Sequence, residues 1–407
     1  MASDEILKRL EIEYKIWYSK QKFTKVDSVY TKDVITKELS LFKEMFVEEY
    51  TLYMKWEHLN GIYPNKNNLF FKQPLLDQYV EAKIAKQNIW QPNHIDDYLN
   101  LEPELVLCDT SKTHKEWIVL RHFISTMPFK GVVGRNLNYI VRDKSTKKTL
   151  GIFCLASDFL DLTPRDKHIG WEREAKTQRM INHTGIGATI IPTQPVGFNY
   201  LGGKLLALLL VSKEVEQDWN KKYKEVLAGI TTTSLYGSFS QYNSLKYWKK
   251  MGKTTGKMRF NHTSKVFSAI KEWLLYNEPR FYFETFIFKL ATGPYRRNNV
   301  QASTIKIYKC LDIKENAKSD QKRGIYWCPL YENTNDFLCE RESELKNRKF
   351  DGSVDSLVEL WKEKYVKKRV TNLIKSGRIN NDMLFYDDML ENDWKTIKEK
   401  YLKSVGR

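Results

Sequence analysis

The stretch Ala188–Leu210 reads ATIIPTQPVGFNYLGGKLLALLL, and its glycines lie where a chain can bind phosphate. A β-branched run, a turn with proline and glycine, and a longer apolar run predict strand, loop and helix. The first amides of such a helix lack intrahelical acceptors and attract anions. The candidate cofactor-binding residues are Val196, Gly197, Leu201, Gly202, Gly203 and Lys204. A glycine turn kept only for packing predicts the same pattern.

Two common nucleotide-binding loops are absent from this sequence. A Walker loop at Gly203-Lys204 would need glycine at position 198 and a hydroxyl at position 205, where Phe198 and Leu205 stand. Gly252-Lys253-Thr254 fails because Tyr247 occupies the position of the first glycine. No G-x-G-x-x-G follows a strand-like run, so the sequence gives no support to a nucleoside triphosphatase or a dinucleotide enzyme.

The positive charge is unevenly distributed along the chain. Residues 1–110 hold 14 Lys and Arg against 18 Asp and Glu, whereas the remainder holds 53 against 32. The net charge of +17 therefore comes entirely from the part that contains the glycine turn. Such a surface attracts polyanions, and we expect double-stranded DNA as the partner. A genome whose codon bias favours lysine would produce a similar composition.

Composition also limits the cellular and metal chemistry that we expect. The five cysteines are scattered without a C-x-x-C pair, and the seven histidines show no H-x-x-x-H spacing, so no disulfide framework or metal site is predicted. No apolar run reaches the roughly 20 residues of a membrane span, and the acidic N-terminus does not resemble a signal peptide. We therefore expect a cytoplasmic protein that does not enter a membrane.

Three regions would have to position these groups. Residues 1–112 are predicted to be helical, with one apolar stripe on a helix through Leu39–Trp56. In residues 113–262, a hairpin over Leu137–Arg142 and Thr149–Ala156 precedes the Ala188 strand and the helix that follows it. A β-like run at Val226–Thr232 and a helix at Gln241–Met251 complete this core.

The third region, residues 263–407, is basic and mixed in structure. Arg296 and Arg297 lie in a polar loop that suits phosphate contact. A long amphipathic helix begins near Val354 and ends at Gly377, and its outer face carries Lys367, Lys368 and Arg369. This face either binds the DNA backbone or keeps the protein soluble.

The order of these elements resembles the GNAT acyltransferase superfamily. The segment Trp248-Lys249-Lys250-Met251-Gly252 stands where those enzymes carry Tyr-x-x-Leu-Gly, and Tyr200-Leu201-Gly202-Gly203 resembles their glycine loop. The resemblance implies an α/β fold. It comprises a GNAT-like mixed sheet with splayed central strands, a helical N-terminal segment and a basic α+β C-terminal region that adds a strand at 324–330.

The block from Leu137 to Lys257 looks more specifically like the Druantia DruA family and, more distantly, the Mom-type DNA-modification proteins. The matching segments are Leu137–Arg142, Ala156-Ser157, Arg165-Asp166, Ile169–Trp171, Asn182–Thr184, Ile190–Pro192 and Gly252-x-Thr254-x-Gly256. The resemblance implies an acyl-CoA or aminoacyl donor whose pyrophosphate lies on the Gly202 amides. It also implies partner proteins of a modification or defence system.

GNAT-like chemistry needs a base for the attacking amine, a donor for the oxyanion and an acid for the leaving group. The acid position of the family is occupied by Trp248, whose indole N–H does not release a proton at neutral pH. Tyr236 or Tyr247 substitutes for it, or the leaving group needs no acid.

Other polar positions each allow a functional and a structural interpretation. Asp158, and Asp161 near it, either serve as the base or form a strand-end turn. His183 has a pKa suited to proton transfer, but a structural histidine fits equally. The candidate DNA contacts in this part are Arg165, Trp171 and Arg173; a local Arg165–Asp166 ion pair and packing of Trp171 are the alternatives.

Three functions are compatible with these observations. The first is a transferase that adds a small group from the donor to an exocyclic amine of a DNA base. The second is a non-catalytic DNA-binding protein of a DruA-like anti-phage or mobile-element system. The third is a GNAT-like transferase acting on protein or tRNA. Trp248, which stands in place of the family's acid, favours the non-catalytic DNA-binding protein. The glycine turn favours the transferase that acts on DNA.

Overall fold

The computed structural model describes residues 4–62, 86–94, 96–125, 134–193, 201–235, 241–254, 260–288, 299–313, 322–377, 389 and 392–404. The helices are α1 Asp4–Ser19, α2 Ser28–Glu44, α3 Val47–Ile62, α4 Asp97–Asn100, α5 Ser111–Ile124, α6 Thr163–Ile169, α7 Arg173–Thr177, α8 Gly202–Leu209, α9 Lys213–Tyr223, α10 Ser264–Asn277, α11 Pro279–Tyr282, α12 Asn299–Cys310, α13 Thr334–Leu338, α14 Val354–Trp361, α15 Lys367–Ser376 and α16 Trp394–Ser404. The strands are β1 Pro103–Leu107, β2 Asn136–Asp143, β3 Thr149–Ser157, β4 Thr184–Pro192, β5 Gly229–Ser234, β6 Lys249–Lys253 and β7 Gly324–Pro329. A 3-10 turn at Met180–His183 and π-helical turns at Phe283–Ile287 and Lys362–Val366 complete the list.

The chain divides into two compact units. The first unit comprises Met1–Tyr50, Asn60–Ile62 and Met258–Asp320, and its described elements are helical. The second comprises Thr51–Leu59, Tyr63–Lys257 and Gln321–Arg407, and it contains every described strand.

The apolar stripe predicted over Leu39–Trp56 belongs to two helices rather than one. Helix α2 ends at Glu44, and the backbone of the following residue, Met45, is extended. Phe46, in the break between the two helices, is 58% exposed. Phe42 before the break and Tyr50 after it both pack against the ring of Phe260, at centroid distances of 5.6 and 5.0 Å. The turn between α2 and α3 lets both rings reach Phe260. Helix propensity depends on neighbouring residues only, so it does not predict this turn.

The seven strands form one sheet in the order β1-β2-β3-β4-β5-β7-β6. All described neighbours are antiparallel except β4 and β5, which are parallel. The predicted hairpin is confirmed as β2 and β3, joined by a turn at the predicted position. The mixed α/β class is thus observed.

Both faces of the sheet are covered by apolar side chains. Successive side chains of β2 and β3 point to opposite faces, and nearly all of them are buried. On one face, Tyr139 and Phe153 pack with the leucines of α8 and with Trp361 of α14. On the other face, Ile140 and Ile152 pack with Trp117 and other residues of α5. The core therefore lies in two layers on either side of the sheet.

The helix predicted at Gln241–Met251 is wrong, because this segment is a loop followed by β6. Ser244 and Tyr247 have positive φ values of 56° and 73°, which a helix does not accommodate. The buried Trp248 donates its indole N–H to Ala207 O at 3.0 Å. The loop is thus held by contacts to α8 that lie far away in sequence.

Within the part of the chain that the structure describes, no helix is both long enough and apolar enough to cross a membrane.

Close packing of α8 on the sheet leads to a prediction for Gly151. A Cβ atom there would lie 2.7 Å from Leu206 Cδ1, 2.8 Å from Ile191 O and 2.9 Å from Pro192 Cα. Since two of these neighbours are backbone atoms, Gly151→Ala should lower the free energy of unfolding by about 1–3 kcal/mol. Urea denaturation followed by circular dichroism measures the change. Ala188→Ser, at an exposed position of the same sheet, is the control; equal stabilities of the two variants would contradict the packing argument.

Candidate functional site

The parallel strands β4 and β5 are paired over only four residue pairs, from Thr184↔Gly229 to Gly187↔Thr232. Beyond this point β4 continues along β3 to Pro192, and β5 continues along β7 to Ser234. Ala188, directly after the last pair, is the extra residue of a bulge against β3 and is exposed. The two strands therefore separate in the middle of the sheet, where each continues with a different neighbour.

On the face that α8 covers, hydroxyl groups join the point of separation to the start of that helix. Thr232 Oγ1 donates to Gly187 O at 3.1 Å, and the Thr232 hydroxyl is also hydrogen-bonded to the buried Tyr242. Gln241 Nε2 donates to Tyr242 Oη at 2.9 Å. The Gln241 side chain lies against Gly203, where an added Cβ would be 1.8 Å from its Oε1.

Tyr242 is suited to hold a proton beside the separated strands. Its burial raises the pKa of the phenol above the ordinary value, against the opposing effect of its hydrogen bonds with Gln241 and Thr232. The phenol therefore stays protonated across the neutral range. A protonated hydroxyl at this place can donate a hydrogen bond or a proton.

On the opposite face, Asp158 lies across the same strand pair. Its side chain is fully buried, accepts from Thr231 Oγ1 at 2.9 Å and lies 2.7 Å from Arg165 Nη1. The backbone N–H of Phe159 donates to it at 2.8 Å, and the Thr184 hydroxyl is a further hydrogen-bond partner. Hydroxyls from β4 and β5 thus converge on one carboxyl group.

Arg165 connects Asp158 to a second carboxylate, and both belong to one network of buried charges. Its guanidinium lies 2.7 Å from Asp166 Oδ1 and donates to Phe159 O at 2.9 Å. Lys176, of which 4% of the side chain is exposed, reaches Asp166 Oδ2 at 2.9 Å and Asp161 Oδ1 at 3.2 Å. We call Asp158, Arg165, Asp166 and Lys176 the buried ion network.

Burial raises the pKa of Asp158 above its usual range, and the adjacent Arg165 guanidinium opposes this shift. Desolvation is the larger effect because a charged carboxylate loses its hydration in the interior. The location of Asp158 fits the predicted base position after β3, but its close partners occupy its oxygens.

The start of α8 lies where the sequence predicted it. Gly202 and Gly203 are the first helical residues and are buried, and Leu201 O accepts the indole N–H of Trp361 at 3.0 Å. Lys204 Nζ donates to Gln241 O at 2.9 Å and to Asn243 O at 2.8 Å. Lys204 thus holds the loop after β5, while Val196 and Gly197 lie outside the described residues.

The other predicted catalytic residues do not meet at the strand separation. His183 Nδ1 lies 2.8 Å from Val226 O, and its ring packs edge-on against Phe337. Tyr247 stacks on Phe350 at a centroid distance of 3.8 Å. Tyr236 lies outside the described residues, so Tyr242 is the described tyrosine that touches this point.

Predicted DNA contacts divide into buried and exposed groups. Arg165 is fully buried and Trp171 is 5% exposed beneath α6, so the local ion pair and the packing role are what the structure shows. Arg173 is exposed and lies 3.6 Å from Asp161. Lys367 pairs with Glu363, Lys368 is exposed, and Arg369 is half-buried on α15. Arg296 and Arg297 lie outside the described residues.

Sequence reasoning missed Tyr242, Gln241 and the threonines that line the strand pair. The run Thr231-Thr232-Thr233 in a central strand was the available signal, because hydroxyls in such a strand need buried partners. Tyr242 was missed because Gln241–Met251 was incorrectly predicted to be a helix. Among the described residues, no group of three or more His, Cys, Asp or Glu side chains could hold a metal ion.

Comparison with known proteins decides the family. A family model described as "Druantia protein DruA" matches residues 70–340. The chain belongs to the DruA family. The Druantia protein DruA of Escherichia coli (strain UMEA 4076-1) is 29% identical over 231 residues, which are 52% of this chain and 55% of that protein. The chain thus spans about half the length of this curated relative. No solved structure gives a significant match.

The DruA match includes both faces of the candidate site. All seven described strands, the buried ion network and Tyr242 fall within residues 70–340. Helices α14 and α15, with Lys367 and Lys368, lie beyond the matched residues. The strand separation is therefore part of the region shared with the DruA family, whereas the basic helix is not.

The buried ion network leads to a prediction for Asp158. Asp158→Asn keeps the shape but leaves Arg165 with one carboxylate, and breaking a buried pair costs about 3–5 kcal/mol. Because Asp166 still neutralises Arg165, we expect a loss near 3 kcal/mol in urea denaturation at pH 7. The control Asp161→Asn, whose side chain is 56% exposed, should cost less than about 1 kcal/mol. Wild-type stability of Asp158→Asn would instead favour the catalytic interpretation.

Proposed function

We propose that this DruA family member is an anti-phage defence protein that modifies double-stranded DNA. In this proposal it is a GNAT-like transferase, related in chemistry to the Mom-type proteins, and adds a small group from an acyl or aminoacyl donor to an exocyclic amine of a base. The observation that carries the proposal is the separation of β4 and β5 next to the buried Tyr242 hydroxyl.

Tyr242 supports the transferase function because it supplies the acid that Trp248 lacks. Trp248 is buried and donates to Ala207 O, so its indole serves packing. The Tyr242 phenol holds its proton at neutral pH and is oriented by Gln241 and by Thr232. In the proposed reaction Tyr242 protonates the leaving group, and Thr232 fixes the direction of the phenol.

The start of α8 is the proposed site of the donor phosphates. The donor, when bound, supplies the activated carbonyl that the exocyclic amine of the DNA base attacks. The amides of Gly202 and Gly203 have no intrahelical acceptor and lie at the positive end of α8. Lys204 is engaged by Gln241 O and Asn243 O, and Gln241 covers Gly203, so Gly202 fits the phosphate better than its neighbours.

The defence role rests on the name of the relative and on charge. The similar Escherichia coli protein is a Druantia protein, and this chain shares about half of its length. A net charge of +17 favours a polyanionic substrate, for which DNA is the chemistry that a defence protein would address.

A non-catalytic DNA-binding protein of the same defence system is the second candidate. The Gln241 side chain on Gly203 favours it, because that contact fills space beside the proposed donor site. Donor binding distinguishes the two candidates: acyl-CoA or an aminoacyl donor should raise the melting temperature of the wild-type protein if the protein is a transferase, and neither should change it in the non-catalytic case.

The catalytic role of Tyr242 is tested by removing one oxygen atom. Tyr242→Phe should abolish the modified nucleoside in DNA from expressing cells, since the proton donor is lost while the ring remains. Mass spectrometry of digested DNA measures the product, and duplex affinity should stay near wild type. Tyr247→Phe is the matched control because that ring stacks on Phe350 away from the strand separation.

The test has two informative negative results. Wild-type DNA without any modified nucleoside would reject the transferase and leave the binding protein. Full modification by Tyr242→Phe would retain the transferase but remove Tyr242 as its acid.

A further inference from the structure

The strand β6 at one edge of the sheet carries an unusual number of cations. Its sequence is KKMGK, and Lys249, Lys250 and Lys253 are all exposed. In the described part of the chain, β6 pairs with β7 and with no other strand, and none of these three lysines forms an ion pair. The outer edge of the sheet therefore carries uncompensated positive charges on both of its faces.

Two further basic side chains from other segments lie beside this edge. His168 is at the end of α6, and its partial burial, followed by the charges of Lys249 and Lys349, lowers the pKa of its imidazole. Lys349 is exposed and, among the described residues, has no carboxylate partner. Three segments that are distant in sequence thus bring two lysines and an imidazole together.

Protection of an exposed edge does not account for this arrangement. Lysines on an edge strand prevent pairing with another sheet, which would explain Lys249, Lys250 and Lys253. Lys349 is not on the strand, and its charge close to that of Lys249 around His168 adds repulsion without an edge to protect. A bound anion would remove this repulsion.

We propose that Lys249, Lys250, Lys253, Lys349 and His168, here called the lysine edge, bind the phosphate backbone of double-stranded DNA. This proposal rests on the proposed function in that DNA is the substrate. It assigns the backbone contact to the side of α6 and β6, rather than to α15 or to the buried Arg165.

Among the described residues, the large rings packed beneath Lys249 are buried, which favours a duplex over a single strand. Proteins that bind single strands stack bases on aromatic side chains. The rings beneath this surface, Trp171, Trp327 and Phe337, are all buried. Tyr247 and Phe350, close in sequence to Lys249 and Lys349, are half-buried and stack on each other. The exposed cations are therefore the groups that contact phosphates, which a duplex presents on its outside.

The opposite edge of the sheet has the opposite charge. A cleft of about 350 Å³ beside β1 is lined by Glu104, Glu214, Asp218 and Asp355, with Lys144 at its margin. This cleft repels a polyanion, so the two edges orient the protein on DNA. His168 follows Arg165 by three residues on α6, so this member of the lysine edge lies about one helical turn from Arg165 of the buried ion network.

Charge reversal tests the proposal against a matched control. Lys249→Glu/Lys253→Glu should weaken duplex binding at least tenfold and reduce the slope of log affinity against log salt by about 1.8, because two phosphate contacts are lost. The control Lys144→Glu/Lys148→Glu makes the same charge change on the β2–β3 turn, near the acidic cleft. It should keep the wild-type slope. Equal losses in the two variants would overturn the proposal.

Two more measurements keep the outcome unambiguous. With saturating duplex DNA, the pKa of His168 from NMR titration should rise, since nearby phosphates favour the imidazolium; an unchanged pKa in the bound state would overturn the contact. Single-stranded DNA of the same length should bind more weakly, and equal binding would reject the duplex. Nucleoside analysis reports the transferase separately, so a protein that binds through the lysine edge without modifying DNA rejects only the catalytic function.

Discussion

The short parallel pairing of β4 and β5 is the constraint on which the site depends. Four residue pairs hold the two strands together, and then each strand follows a different antiparallel neighbour. Because hydrogen bonds to β3 and β7 continue, the separation costs little of the backbone hydrogen bonding of either strand. The fold thereby opens the middle of its own sheet while both sides stay paired.

Polar groups are concentrated on both faces of this opening, and they differ in kind. One face carries neutral hydroxyls and an amide, from Thr232 through Tyr242 to Gln241. The other carries the buried ion network, in which Asp158 and Asp166 share Arg165. Buried charges are costly unless paired, which explains why these carboxylates and cations are tied to one another and to strand hydroxyls. The proposed reaction places proton transfer on the neutral face, because burial keeps the Tyr242 phenol protonated there.

Charge is arranged unevenly across the sheet. The lysine edge at β6 and the acidic cleft beside β1 lie at opposite ends of the strand order. The basic residues that stood out in the sequence, on α15 and in the Arg165 segment, are partly paired or buried. Exposure and pairing therefore decide which cations are available, and the count of lysines does not.

The sequence by itself determined the elements whose signals are local. Alternating apolar residues and a charged turn predicted the β2–β3 hairpin, and the glycine turn predicted a strand followed by a helix. Joint segment matches also predicted the DruA family, which the family model shows. What only the tertiary structure decided depends on partners distant in the chain. Trp248 on Ala207 turns a helix-like segment into a loop and a strand, and Thr232 brings Tyr242 to the strand separation. Asp158 closes on Arg165, which leaves that arginine no surface for phosphate. Local periodicity records which residues prefer to be buried, but the identity of their partners is set by long-range packing, so the roles of these residues emerge only when the sheet is complete.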